Sequence, residues 1–326
     1  MQLNELEFVD LYLTVDKGPD GKPVERQFLK GLKTSTRVLS PVPEACLEEA
    51  RGMRKLCTTT LLTEKNQEFY VNNGGVKYRV RAEKNIWNQW KFTLRKLTLS
   101  AKRIEDLGFH DELVRQLLRQ DLKGLVLIAG ETGAGKTSTA AALLQSRLVR
   151  HGGLAVAIED PPEINMHGPV GDGWCEQVPA RRDRGGYKEH LVGALRDNPD
   201  MILLGEVRDE ATATEVVNAS CNGHMIISTL HAQSVEAAIE RLSGLASSGS
   251  GLGTAPTNAK LAMGLQAVIW QHLVRRADGQ GYTLEWQALN LQGDQNNGAR
   301  VRVREGKFSH LAQDINQQAI RMGLVG

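Results

Sequence analysis

At 326 residues the chain exceeds a typical small domain and suits two, and its 41% apolar and 24% charged residues exclude a disordered chain. Lysine and arginine total 40 against 38 acidic residues, a net charge of +2, which lacks the global basic footprint of a dedicated nucleic-acid binder. Met1 to Glu5 lack the basic and apolar regions of a secretory signal, and no apolar run approaches the roughly 20 residues that span a bilayer; a cytoplasmic protein is expected.

In chain order, Phe8 to Val15 alternates apolar and polar residues and predicts a strand. Pro43 to Leu62, opened by Pro41-Val42-Pro43, predicts a helix. Glu68 to Val71 and Val76 to Val80 flank Asn72-Asn73-Gly74-Gly75, the signature of a hairpin. Residues 1–107 therefore read as a small α+β domain. From Ile104 the texture changes to apolar strands alternating with longer helical segments, the pattern of a mostly parallel sheet covered by helices, and residues 108–326 read as an α/β domain.

Within that second region Leu125 to Ala129 is wholly apolar and suits a strand buried on both faces. Ser138 to Arg150 predicts a helix stopped at Gly152-Gly153. Further strands are expected at Leu154 to Ile158, Met201 to Leu204 and Met225 to Ser228, each running into a polar or glycine-bearing loop. Polar residues beyond the carboxyl ends of parallel strands converge on one pocket. Arg181-Arg182-Asp183-Arg184 reads as a solvated loop, Ser243 to Thr257 as a flexible Gly/Ser hinge, and Leu261 to Val274 as an amphipathic helix. The cysteines, Cys46, Cys57, Cys175 and Cys221, form no C-x-x-C pair and read as reduced thiols.

Gly130-Glu131-Thr132-Gly133-Ala134-Gly135-Lys136-Thr137 matches the phosphate-loop pattern G-x-x-x-x-G-K-[ST] between a predicted strand and helix. The glycines let backbone N–H groups curl around phosphate oxygens, Lys136 reaches the outer phosphates, and the Thr137 hydroxyl is a magnesium ligand. Gly130, Thr132, Gly133, Ala134, Gly135, Lys136, Thr137 and Ser138 are the candidate nucleotide-binding residues. No N-K-x-D tetrapeptide, the guanine reader of GTPases, occurs in the chain, so ATP is favoured.

Ile158-Glu159-Asp160-Pro161-Pro162-Glu163 follows the next strand, and one of its carboxylates is placed to orient or deprotonate an attacking water. Glu206 ends the strand of Met201 to Leu204, where an acid that holds Mg²⁺ directly or through water belongs; Gly205 stands where many phosphate-loop ATPases carry an Asp. His224 and His231 bracket the strand from Met225, and both are candidates for sensing the γ-phosphate or a neighbouring subunit.

This ordered set, the phosphate loop, I-E-D-P-x-E, L-R-x-x-P-D-x-I-L-x-G-E-x-R-D and G-H-x-x-x-S-T-L-H, resembles the secretion ATPase superfamily of type II secretion, type IV pilus and conjugation systems. The resemblance spans Tyr78 to Asn290, and the first domain more loosely. It implies a PAS-like domain followed by a RecA-like phosphate-loop domain, and a homo-oligomer, a hexamer, that turns ATP hydrolysis into domain rotation. It implies Glu163 as general base, Glu206 as the magnesium-holding acid, roles for His224 and His231, and Arg79 and Arg95 as first-domain arginines that complete the nucleotide site. An inner-membrane component of a secretion or pilus machine is the implied partner, with the protein peripheral to that membrane. Pro162, Ile164 to His167 and the Gly185-Gly186 loop depart from the family pattern. The tetracysteine insertion of the extension and type II secretion ATPases is missing, which favours the retraction-type or type IVB conjugative branch; the tail Ala319-Ile320-Arg321 favours retraction weakly. The rival expectations are a slow nucleotide-dependent assembly adaptor and a DNA-translocating RecA-like motor.

Overall fold

The computed structural model describes residues 2–97, 101–180, 186–276, 281–293 and 297–324. The chain divides into two compact units, 1–99 and 100–326.

The first unit is a six-stranded antiparallel sheet, β1 (Asp10–Lys17), β2 (Pro23–Lys30), β3 (Leu39–Pro41), β4 (Glu68–Asn73), β5 (Val76–Lys84) and β6 (Trp90–Lys96), in the order β3-β2-β1-β6-β5-β4. The β4–β5 hairpin turns on Gly74 and Gly75, with φ of +58° and +80°; two successive left-handed residues give the turn whose twist matches the strands. Helix α1 (Leu47–Glu64) buries Ala50, Met53, Cys57 and Leu61 at helical spacing. They share one core with Leu11, Leu13, Tyr78, Val80, Phe92 and Leu94.

The second unit is an eight-stranded mixed α/β sheet in the order β14-β13-β7-β12-β11-β8-β10-β9. Its strands are β7 (Gly124–Gly130), β8 (Gly153–Glu159), β9 (Gly168–Val170), β10 (Gly173–Pro179), β11 (Met201–Leu204), β12 (Met225–His231), β13 (Leu265–Arg275) and β14 (Tyr282–Asn290). The six inner strands are parallel, and β9 and β14 close the edges antiparallel. The helices are α2 (Asp111–Leu117), α3 (Lys136–His151), α4 (Gly186–Arg196), α5 (Glu210–Cys221), α6 (Val235–Ser250), α7 (Thr254–Gly264), α8 (Gly298–Glu305) and α9 (Leu311–Arg321). Side chains of β7 alternate between two cores: Leu125, Leu127 and Ala129 join α5, α6 and α7, whereas Val126 and Ile128 join α2 and α3. All seven residues of β7 are buried, as a strand covered on both faces requires. Among the described residues no helix is long and apolar enough to cross a membrane.

Three expectations change. Residues 101–107, read with the first domain, pack in the second unit: Ile104 is fully buried beside α3, and its N–H donates to Ser146 Oγ at 3.0 Å. The expected hinge over Ser243 to Thr257 is helical except for 251–253, where Gly251 caps α6 with φ +67°. Its small residues serve close helix packing; a Cβ at Gly249 would lie 2.4 Å from Glu210 O, in α5. The helix expected over Leu261 to Val274 stops at Gly264 and continues as β13. In β13, between β7 and β14, the apolar run Ala267 to Trp270 is too short for periodicity to separate a buried strand from a helix. The Arg181 to Arg184 cluster and Gly185 lie outside the described residues.

Candidate functional site

The carboxyl ends of β7, β12, β11 and β8 are neighbours in the sheet, so the loops that follow them meet at one place. After β7 the chain turns through Gly133 and Gly135, both with φ +82°, into α3. A side chain at Gly130 is excluded, because its Cβ would lie 2.4 Å from Gln271 O on β13. Gln271 also donates from Nε2 to Ala134 O at 2.5 Å, which ties the loop to the sheet. Lys136 opens α3 and is buried; its Nζ donates to Gly130 O at 2.9 Å and Glu131 O at 2.7 Å. Burial lowers the Lys136 pKa, and the nearby Glu206 charge opposes that shift.

Beyond β11, Glu206 is held from two sides. Arg208 Nε donates to its Oε2 at 2.7 Å, and His231 Nε2 lies 3.4 Å from its Oε1. His231 Nδ1 stands 3.5 Å from Lys136 Nζ, so Arg208, Glu206, His231 and Lys136 form a chain of alternating contacts. Ser228 and Thr229 of β12 donate to the carbonyls of Leu204 and Gly205, fixing the height of this turn. The glycine at 205 has a steric reason: a Cβ there would lie 2.9 Å from the Tyr187 hydroxyl oxygen and 3.3 Å from Glu159 Cα. Asp209, the last residue of the G-E-x-R-D segment, caps α5 by accepting from Thr212 N at 2.8 Å.

Glu159 ends β8 and is 3% exposed. Burial pushes its carboxyl up to about 7; Gln177 Nε2, donating to Oε2 at 2.7 Å, works against this, and the charge of Glu163 works with it. Tyr187 Oη accepts from Asp160 N at 2.9 Å. Glu163 is exposed on the same loop.

Together these groups line a cleft of about 520 Å³ that contains Thr132, Gly133, Gly135, Lys136, Thr137 and Ser138 on one side and Glu159, Asp160, Glu163, Glu206 and His231 on the other. Tyr187, Arg208, Thr229 and Leu273 also line it, and the sequence reading gave none of them a role. Arg208 was legible inside the G-E-x-R-D segment; Tyr187, on α4, carried no local signal.

One other placement differs. His224 precedes β12, and its carbonyl accepts from the N–H of Gly124, the first residue of β7, at 3.0 Å. It therefore lies at the amino ends of the strands, roughly 24 Å along β12 from His231 at about 3.4 Å per residue, and not in the cleft. Arg79 and Arg95 belong to the first unit, directly opposite each other on β5 and β6. Asp10, opposite Arg95 on β1 and 2% exposed, accepts from Arg95 Nε at 2.8 Å and Nη2 at 3.2 Å. Among the described residues no group of three or more His, Cys, Asp or Glu is assembled as a metal site. The Thr137 hydroxyl and the Glu206 carboxylate, both lining the cleft, still fit Mg²⁺, which takes one or two protein oxygens and completes its shell with phosphate and water.

The model of the Type II/IV secretion system protein family matches residues 43–313. Type II secretion system protein E of Klebsiella pneumoniae is 40% identical over 172 residues, 52% of this chain and 32% of that protein. The type IV pilus ATPase PilU of Pseudomonas aeruginosa is 28% identical over 288 residues, 83% of this chain and 71% of that one. The chain thus spans about a third of the length of the type II secretion relatives it matches. In fold, the crystal structure of the pilus retraction motor PilT with bound ADP is similar at a TM-score of 0.74 and 24% identity, covering 98% of this chain and 90% of that one.

Proposed function

The chain belongs to the Type II/IV secretion system protein family, and from that membership and the cleft we propose that it is an ATPase motor subunit that transfers the γ-phosphoryl group of ATP to water. The observation that carries the reading is the meeting of the phosphate loop, Glu163, Glu206 and His231 at the ends of adjacent parallel strands. Loop N–H groups and the start of α3 bind the phosphates. Lys136 exchanges the carbonyls it now contacts for the outer phosphate oxygens. Thr137 and Glu206 hold magnesium, which when bound neutralises phosphate charge. Glu163 accepts the proton of the attacking water, and His231, between Glu206 and Lys136, reads the outer phosphate.

The antiparallel sheet with α1 is read as PAS-like, the second unit as RecA-like, and copies of the chain as a hexameric ring. Arg79 and Arg95 then add positive charge to the transferring group from the first unit. The work coupled to hydrolysis is pilus dynamics or type IV secretion and conjugation, the names carried by the relatives pointing that way, with the protein cytoplasmic and peripheral at the inner membrane through a machine component. The missing tetracysteine insertion supports the retraction-type or type IVB conjugative branch.

The test is ATP turnover by the full chain and by Lys136→Ala, each with and without DNA. The expected result is Mg-dependent turnover that DNA leaves unchanged and that Lys136→Ala abolishes. Strong DNA stimulation favours a translocase, binding with almost no turnover favours an assembly adaptor, and full activity in Lys136→Ala refutes the phosphate-loop assignment.

A further inference from the structure

The loop that carries Glu163 runs from Asp160 to His167, between β8 and the short strand β9. A carboxylate that works on an attacking water has to be held in place, because a displacement of about 1 Å can cost ~10²-fold in rate. Ile164 and Met166 enter the core just after Glu163 and anchor the loop apolarly. Tyr187 Oη holds the start of the loop at Asp160 N, and the polar anchoring on both sides of Glu163 comes from one side chain on β10. Gln177 Nε2 donates to Glu159 Oε2 at 2.7 Å and to Ile164 O at 2.8 Å, and its Oε1 accepts from Met166 N at 3.2 Å. One carboxamide thus spans the end of β8, where the loop leaves the sheet, and the backbone on the far side of Glu163.

Its partners also fix its orientation. Ile164 O needs a donor and Met166 N–H needs an acceptor, so a flipped amide would set oxygen against oxygen and N–H against N–H. No shorter side chain reaches all three. An isosteric side chain without polar atoms satisfies none of them.

We propose that Gln177 is a positioning residue for the acidic loop, whose three hydrogen bonds set where Glu163 stands over the phosphate cleft. The proposal rests on the reading of Glu163 as the group that acts on water, but the clamp itself is a property of the chain without nucleotide. Gln177 is absent from the cleft lining, and its side-chain hydrogen bonds go to Glu159, Ile164 and Met166 and not to the phosphate loop or Glu206. Its loss therefore acts on turnover and leaves nucleotide binding alone.

Gln177→Met keeps the shape and removes all three bonds; Gln177→Asn keeps the chemistry but falls a methylene short, and stands in should the first variant fail to fold. The full chain and both variants are compared by steady-state ATP turnover, by affinity for a non-hydrolysable ATP analogue, and by amide hydrogen exchange without nucleotide. The expected result is a kcat lowered by about 10- to 100-fold with KM and analogue affinity within about twofold. Exchange should rise in the segment 160–167 and stay unchanged in 130–137. Unchanged kcat in both variants, or analogue affinity lost in step with turnover, would overturn the proposal. A wild-type chain without turnover overturns the ATPase reading instead, and the exchange of 160–167 then decides the clamp by itself.

Discussion

Glu159 at the end of β8 and Glu163 on the loop that follows live in different surroundings, and only one of the two is exposed. Glu159 is buried beside Gln177 with its carboxyl raised to about 7, whereas Glu163 meets solvent in the cleft. A carboxyl whose folded pKa lies above its unfolded value binds a proton on folding at any pH between the two. For Glu159 the stability of the fold therefore falls as pH rises from about 4.5 to about 7, and this contribution is constant above. The full penalty is on the order of 3 kcal/mol, taken as an upper bound. Glu159→Gln removes the charge and keeps an acceptor for Gln177. Its melting temperature should exceed that of the wild type at pH 8, and the gain should vanish near pH 4.5. An offset that is the same at both pH values would show that Glu159 is not the titrating group. The local pattern placed Glu159, Asp160 and Glu163 beside the phosphate site and only the family resemblance singled out Glu163; their different burial could not be read, because it is set by β10 and α4, which arrive from elsewhere in the chain.

At the scale of elements, what could be read was what local pattern determines. The phosphate loop, β7, β11 and β12 were legible because short apolar runs between glycines and acids have few other ways to fold. The β4–β5 hairpin was legible because two adjacent glycines permit the turn. The α6–α7–β13 region was not: serine and glycine read as a hinge when they are small contacts in a helix crossing, and β13 read as a helix because its burial hides its period. The two glycines of α6 should therefore respond in opposite directions. At Gly249 a Cβ would meet Glu210 O at 2.4 Å and Thr214 Oγ1 at 2.6 Å, so Gly249→Ala should destabilise by about 1–3 kcal/mol. At Gly244 nothing lies within 4 Å, and Gly244→Ala should stabilise by about 0.5–1 kcal/mol through better helix propensity. Thermal melts of the two variants check the pair; equal effects would mean that α6 is loose after all. His224 is a different case: the strand between it and His231 was read, and a strand of that length by itself sets the two histidines at opposite ends of the sheet.

For the whole molecule, the proposed motor needs both units, and the first unit offers a discriminating residue. Arg95 cannot be removed cleanly, since Asp10 would be left buried without its bidentate partner, a loss that destabilises by itself. Arg79 faces no such penalty among the contacts described. Arg79→Ala should keep the fold and ATP affinity and lose most turnover, by up to about 10³-fold if the guanidinium acts on the transferring phosphoryl group. Turnover within about twofold of wild type would return Arg79 to an ordinary strand residue. One further property of the two sheets bears on how copies of the chain can meet. Each sheet ends on one side in a strand of only three residues that contains a proline: β3 with Pro41 and β9 with Pro169. Proline has no N–H to offer, and so short a ladder gives an incoming strand almost nothing to pair with. At these borders the protein is guarded against strand-to-strand fusion with its neighbours. Were copies of the chain to meet there, they would do so through side chains, which part more readily than a shared ladder of backbone hydrogen bonds.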